Sequence, residues 1–494
     1  MPVLAERRRF ASRLHAALIT TFVGAGALLA TGCSSTPSAT SGADAEASGH
    51  EAGGTTAATG DASTSGGDDA SATSGASDGA ATETTGATSA EAGGDTAAPS
   101  TPVCFFSDAN YAGKSFCVGA GSADLPSDWN DVISSVKVAS GYRVDLYADI
   151  GAGGRKLSLI ADEPNLPICF FNDTASSYRV GNDTPSRFQS VNFLRKISGC
   201  HIAAGQHNDE KGDSPHYYTD IVHSITGQYP ALWSGDFGFS GDSTARWALT
   251  HEAEAEWKRG AIVQFMFHAC PPTTGSSCGW DPGIIGKLTD DQWNDLITDG
   301  GGLNGAWKSR LDELVPYFTE LAAQGVEVLF RPHHEMNQGV FWWAGRTGPN
   351  GTARLFQITH DYLVKTKGFT NIAFVWDVQD LSTNYADYDP GADYYDLGAI
   401  DYYNGSSSDS DYGDTKYHDA MAPVVGDKPM AIGETFYLPD PAAQSRLPYE
   451  SFFMIWAYGL QKDLNGNPTN SNDAIVAAYS DPRVVRLADM PGWK

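Results

Sequence analysis

Positive charge is what this 494-residue chain has least of: 32 Lys and Arg stand against 60 Asp and Glu, a formal −28 at pH 7. Holding phosphate takes clustered Lys and Arg, so nucleic acid and anionic lipid headgroups are poor partners for the folded part. Between Ser34 and Ser100 the lack is complete, with no Lys, Arg or aromatic residue and almost only Ala, Ser, Thr, Gly, Asp and Glu. Nothing there can build a core. No apolar run reaches the roughly twenty residues that a membrane-spanning helix needs. No Cys-x-x-C pair occurs, and a His-Glu-x-x-His zinc site fails because position 338 is Gln.

What is present begins at the N-terminus. Arg7, Arg8, Arg9 and Arg13 precede an apolar stretch from Ala16 to Ala30, the layout of an export signal over residues 1–32. The ending Leu29-Ala30-Thr31-Gly32-Cys33 resembles a bacterial lipobox, with Ala30 where Leu is usual. That resemblance implies a lipidated Cys33 as first mature residue; plain secretion with cleavage nearby is the alternative. The expected location is therefore outside the cytoplasm, held to a bacterial membrane by lipid alone. Residues 33–102 form a disordered stalk on this reading, with an r.m.s. reach of about 45 Å. Six further cysteines, an even number in an exported chain, point to disulfides. Cys270 and Cys278 bracket a short loop and are the expected pair; the pairing of Cys104, Cys117, Cys169 and Cys200 stays open.

From 103 to 182 the sequence repeats. "FSDANYAGKSF" (106–116) returns as "YADIGAGGRKL" (147–157), and "WNDVISSVKV" (129–138) as "FNDTASSYRV" (171–180). In each copy an aromatic residue precedes a glycine by seven positions, Phe106/Gly113 and Tyr147/Gly154, as a folded hairpin with positive φ requires. The pattern resembles a βγ-crystallin domain of two Greek-key motifs. Asn130, Asp131 and Ser134, and again Asn172, Asp173 and Ser176, match that family's calcium signature. The resemblance implies Ca²⁺ held by carboxylate, hydroxyl and carbonyl oxygens. Ordinary Asp and Ser turn-capping is the alternative.

Beyond 196 the texture changes to apolar runs at 196–206, 230–237, 260–269, 325–334, 371–378, 396–403, 428–434 and 452–458. Helix-compatible segments such as Trp307 to Ala323 separate them. Eight such strands predict an α/β (β/α)₈ barrel over 196–494, so the whole chain is multidomain: barrel, small all-β domain and stalk. An active site is then expected at the strands' C-terminal ends, where His268, Glu335, Tyr403 and Glu434 fall. Two carboxyl groups across one barrel mouth are what hydrolysis of a glycosidic bond needs, and aromatic residues suit sugar faces.

"RPHHEMNQGVFWW" (331–343), "GAIVQFMFHACPP", "AIDYY" and "PMAIGE", in that order, resemble glycoside hydrolase family 26, typified by β-mannanases. The resemblance covers about 200 to 460. It implies a retaining double displacement without a catalytic cofactor, with Glu335 as acid/base and Glu434 as nucleophile. It also implies sugar contacts at His268, His334, Trp342, Trp343, Tyr403 and Trp456. A departure lies at Gln338-Gly339-Val340, where Gly-x-Trp is usual. The expected partner is a β-mannan-type polysaccharide and the expected state a monomer. β-1,3-Xylan, mixed-linkage glucan and a non-catalytic calcium- or carbohydrate-binding role remain alternatives.

Overall fold

The computed structural model describes residues 101–403, 416–439, 450–463 and 466–493. The expected signal, Cys33 and nearly all of the stalk lie outside the described residues. Those described belong to one compact unit.

The repeat folds as seven strands. They are β1 (Val103–Asp108), β2 (Ala112–Val118), β3 (Gly121–Asp124), β4 (Ser135–Val138), β5 (Tyr142–Asp149), β6 (Gly153–Leu159) and β7 (Ser177–Asn182). Each copy opens with a hairpin, β1/β2 and β5/β6, bent at a register shift before its turn. Gly113 and Gly154 sit at φ +75° and +71°; a Cβ there would lie 2.7 and 2.6 Å from the Asp108 and Asp149 carboxylates. The left-handed backbone favours glycine at both positions. The last serine of each Ser-Ser pair latches its hairpin. Ser135 donates to Asp108 O (2.7 Å) and accepts from Tyr111 N–H (3.0 Å). Ser177 does the same with Asp149 O (2.6 Å) and Ala152 N–H (3.0 Å).

The copies are not independent. One sheet runs β2-β1-β4 and the other β3-β7-β5-β6, so the first copy's third strand completes the second copy's sheet. Val136 and Glu163 return the exchange through a reciprocal pair of backbone bonds, 2.9 and 2.8 Å. Val103, Phe105, Ile133, Val144, Leu146 and Phe171 fill the space between the sheets. Cys104–Cys117 ties β1 to β2, and Cys169–Cys200 ties this β-module to the barrel. Arg143 adds a bond to Asp427 at 2.7 Å.

Eight parallel strands close into a barrel: β8 (Ile202–His207), β9 (Leu232–Asp236), β10 (Ile262–Met266), β11 (Val328–Arg331), β12 (Ile372–Gln379), β13 (Leu397–Tyr402), β14 (Met430–Thr435) and β15 (Glu450–Ile455), with β15 pairing back onto β8. Each expected strand is present. A short β16 (Val484–Val485) adds a ninth beside β8.

Two expectations change. The run 196–206 is not strand throughout, because Lys196 and Ile197 end helix α1 (Gln189–Ile197) and the strand starts only at Ile202. Val191, Leu194 and Ile197 on α1 pack with Ala203, Leu232, Ile262, Ala373 and Leu397 near the N-terminal strand ends. Glu327 anchors the helix by accepting from Gln189 N–H (2.8 Å) and Ser190 N–H (2.9 Å), where the helix dipole favours a carboxylate. The barrel thus begins before residue 196. The expected helix from Trp307 to Ala323 is two helices, Gly302–Asp312 and Val315–Ala323. Pro316 lacks an N–H and its ring crowds the carbonyl of Asp312, so the first helix stops there.

Candidate active site

Apolar strands become polar where they leave the barrel. Arg331 ends β11 and is fully buried. Its guanidinium donates to Asp377 (2.8 Å), to both oxygens of Asp401 (2.9 and 3.0 Å) and to Glu434. Asp377 and Asp401 face inward from β12 and β13, and Glu434 stands near the end of β14. Gly433 makes the close approach possible: a Cβ there would fall 2.3 Å from Asp377 Oδ2 and 2.5 Å from Asp401 Oδ1. One positive charge serves three buried carboxyl groups. Burial therefore pushes Glu434 and Asp377 above the usual carboxylate range and Asp401 well above it, against the pull of Arg331. For Glu434 the Tyr403 hydroxyl, which donates to Oε2, works in the same direction as Arg331.

Glu335 has a different environment. Its backbone lies at φ +52°, a left-handed conformation that costs a non-glycine residue on the order of 1–2 kcal/mol. Its N–H donates to Asp377 Oδ1 at 2.9 Å. Burial first, then the neighbouring Glu434 and Asp377 charges, hold its carboxyl well above the usual range. Glu335, Asp401 and Glu434 each place a carboxylate oxygen within 4.8 Å of the others. The mouth therefore holds two glutamates in unequal environments: Glu434 held by two donors, Glu335 pushed further towards its protonated form.

Histidines and aromatic rings surround them. His268 Nδ1 bonds the Asp236 carboxylate, and its backbone N–H reaches the other oxygen of Asp236 at 3.2 Å. Burial would raise Asp236, but His268 overcomes it and brings the carboxyl down to about 2. His334 lies edge-on to His268, ring centroids 4.6 Å apart, and burial pushes its pKa well below the ordinary value, so it is neutral. Trp456 follows β15 and stacks on His207 at 4.2 Å, with its ring 6.0 Å from His268.

The structure thus brings Glu335, Glu434, His268, His334, Tyr403 and Trp456 to one barrel mouth. Trp342 and Trp343, also expected as sugar contacts, pack against each other, with Trp343 beside His334. They are 2% and 0% exposed, and their indole N–H groups are spent on Ala269 O (2.7 Å) and His334 O (3.0 Å). Trp343 stacks on Phe341 at 4.5 Å, so both brace the loop from behind. Cys270–Cys278 closes the loop after β10 as expected. Asn130, Asp131, Ser134, Asn172, Asp173 and Ser176 lie in the β-module, not at this mouth. Sequence reading passed over Arg331, Asp377, Asp401 and Asp236. The available signal was a charged residue at an inward position of an otherwise apolar strand, as in "FVWDV" and "GAIDYY".

The sequence profile of glycosyl hydrolase family 26 matches residues 182–488, well over half of the chain. The chain belongs to glycosyl hydrolase family 26. A mannan endo-1,4-beta-mannosidase of Thermothelomyces thermophilus is 28% identical to this family member over 319 residues, covering 61% of each protein. The chain thus spans about three-fifths of that relative's length. Among solved structures, GH26A of a Muricauda species is 27% identical, with a TM-score of 0.56 over 61% of this chain and 95% of that one. A β-mannanase from a symbiotic protist of the termite Reticulitermes speratus, complexed with gluco-manno-oligosaccharide, is 25% identical. Its TM-score is 0.54, over 63% of this chain and 97% of that one. Residues 91–159 match the profile of peptidase inhibitor family I36, a match that stops before β7 completes the second sheet.

Proposed function

We propose that this family 26 member is a retaining endo-β-1,4-mannanase acting on mannan, glucomannan or galactomannan. The observation that carries the reading is the pair Glu335 and Glu434, whose carboxylate oxygens approach within 4.8 Å in unequal environments. A separation this short suits attack by a carboxylate; an inverting pair stands about 6.5–9.5 Å apart to admit water. In the first step Glu335 gives its proton to the glycosidic oxygen as Glu434 attacks the anomeric carbon. The bond to the leaving sugar breaks. In the second step the Glu335 carboxylate takes a proton from water, whose oxygen attacks the same carbon and frees Glu434. The product keeps the β configuration, and the sequence uses only carboxyl groups of this chain.

The other groups take supporting parts. Arg331 and Tyr403 hold Glu434 in place and favour its carboxylate form, the form that attacks. Asp236 holds His268 through Nδ1 and so fixes how the ring is turned, leaving Nε2 for a sugar hydroxyl. Mannan as substrate is supported by the names of the relatives. Reducing-sugar release from glucomannan, galactomannan, β-1,3-xylan and lichenan tests it. The mannans should be cleaved fastest; activity confined to xylan or lichenan would reassign the substrate.

The β-module we read as a βγ-crystallin-like pair of motifs that binds Ca²⁺. Supporting this, its two signature loops bond each other reciprocally, Asp131 N–H to Ala175 O (3.0 Å) and Asp173 N–H to Ile133 O (3.1 Å). Asn172 Oδ1 is buried with no hydrogen-bond partner, an acceptor that a hard cation would satisfy. The lipobox-like segment supports export and a lipid tether at Cys33.

A further inference from the structure

We propose that Asp377 is the positioning residue of Glu335: it holds the acid/base in its left-handed backbone conformation and aims its carboxyl at the glycosidic oxygen. The proposal rests on the reading of Glu335 as acid/base. A glutamate at φ +52° persists only where its surroundings over-determine it. Here they do so from a single strand. Asp377 Oδ1 accepts the Glu335 N–H at 2.9 Å, and Asp377 O accepts the Met336 N–H at 3.3 Å. Two residues along β12, Gln379 exchanges bonds with Asn337: Gln379 N–H to Asn337 Oδ1 and Asn337 Nδ2 to Gln379 O, both 2.7 Å.

Asp377 is itself immobile, fully buried, with its second oxygen accepting from Arg331 at 2.8 Å. The same guanidinium holds Glu434. Acid and nucleophile therefore ride on one frame, but their links to it separate cleanly. Without the Asp377 carboxylate, Arg331 keeps both Asp401 oxygens and Glu434, whereas the Glu335 N–H loses its acceptor. Removal of Asp377 is thus expected to disturb the acid and spare the nucleophile.

The test is Asp377→Ala in the full chain, with kcat/KM measured on mannopentaose and on a 2,4-dinitrophenyl β-mannobioside. The dinitrophenolate departs without a proton, so its kcat/KM does not need the acid. We expect a loss of roughly 100-fold on mannopentaose and less than about fivefold on the aryl substrate. Asp377→Asn, which keeps an oxygen acceptor, should recover part of the mannopentaose loss, and carries the comparison should the alanine variant not fold. Equal losses on both substrates, or no loss on either, would overturn the proposal. Glu335→Ala is the control. If that variant shows no split between the substrates, or the wild type cleaves neither, the acid/base assignment falls and this inference with it.

Discussion

Glu335 and Glu434 are the same side chain, and what separates them is which donors reach them. Arg331 and Tyr403 point at Glu434; burial and neighbouring carboxylates press on Glu335. Glu434→Ala should therefore lower turnover of β-mannan by roughly 10⁴-fold or more while the fold survives, because no glycosyl–enzyme can form. Retained activity with unchanged circular dichroism would remove Glu434 from that part. Glu335 carries a linked prediction. Its folded pKa lies well above its ordinary value, so its contribution to stability is complete below the unfolded pKa and is lost as pH rises through the folded one. Between about pH 5 and pH 8 the wild-type Tm should fall more than that of Glu335→Gln, which has no proton to lose. Parallel Tm curves in a calorimeter would show that Glu335 does not hold its proton. That Glu335 and Glu434 meet at the strands' C-terminal ends was legible because a carboxylate following an apolar strand stands out in the sequence. The burial of Trp342 and Trp343 was not legible, because nearness in sequence to Glu335 says nothing about which way an indole faces. Arg331, Asp377 and Asp401 stayed hidden because they satisfy one another, and strand pairing alone brings them together.

Strands were more legible than helices. Parallel strands buried on both faces are continuous apolar runs, and all eight declared themselves that way. The first was read too early, since α1 runs almost directly into β8 with only a short turn between. The repeat in the β-module was legible down to its glycines, yet the exchange of β3 between copies was not, because sequence similarity does not reveal which sheet a strand joins. That exchange brings the two Asn-Asp loops together, and the loops are where the next prediction belongs. Ca²⁺ at millimolar concentration should raise the Tm of the full chain, since a ligand held only by the folded state stabilises it. Asp131→Ala with Asp173→Ala should abolish the rise and leave mannan hydrolysis near the wild-type rate. An unchanged Tm, with no heat of binding, would make the loops ordinary turns.

At the scale of the whole molecule, a barrel and a β-module are fastened by Cys169–Cys200 and by Arg143 on Asp427. Among the described residues no helix is long and apolar enough to cross a membrane. The proposed lipid on Cys33 is tested by partitioning. Wild-type protein should partition into detergent and Cys33→Ser should not, with hydrolysis by the folded part unaffected. Recovery of wild type wholly in the aqueous phase, with a mature terminus elsewhere, would make it a freely secreted hydrolase. All of this surrounds one chemical claim, that Glu434 attacks the anomeric carbon of a β-mannan while Glu335 supplies and recovers the proton. Proton NMR of mannohexaose in the first minutes of digestion tests it most directly, before mutarotation mixes the anomers. The new reducing ends should appear as the β-anomer; the α-anomer appearing first, or no cleavage at all, would contradict the account.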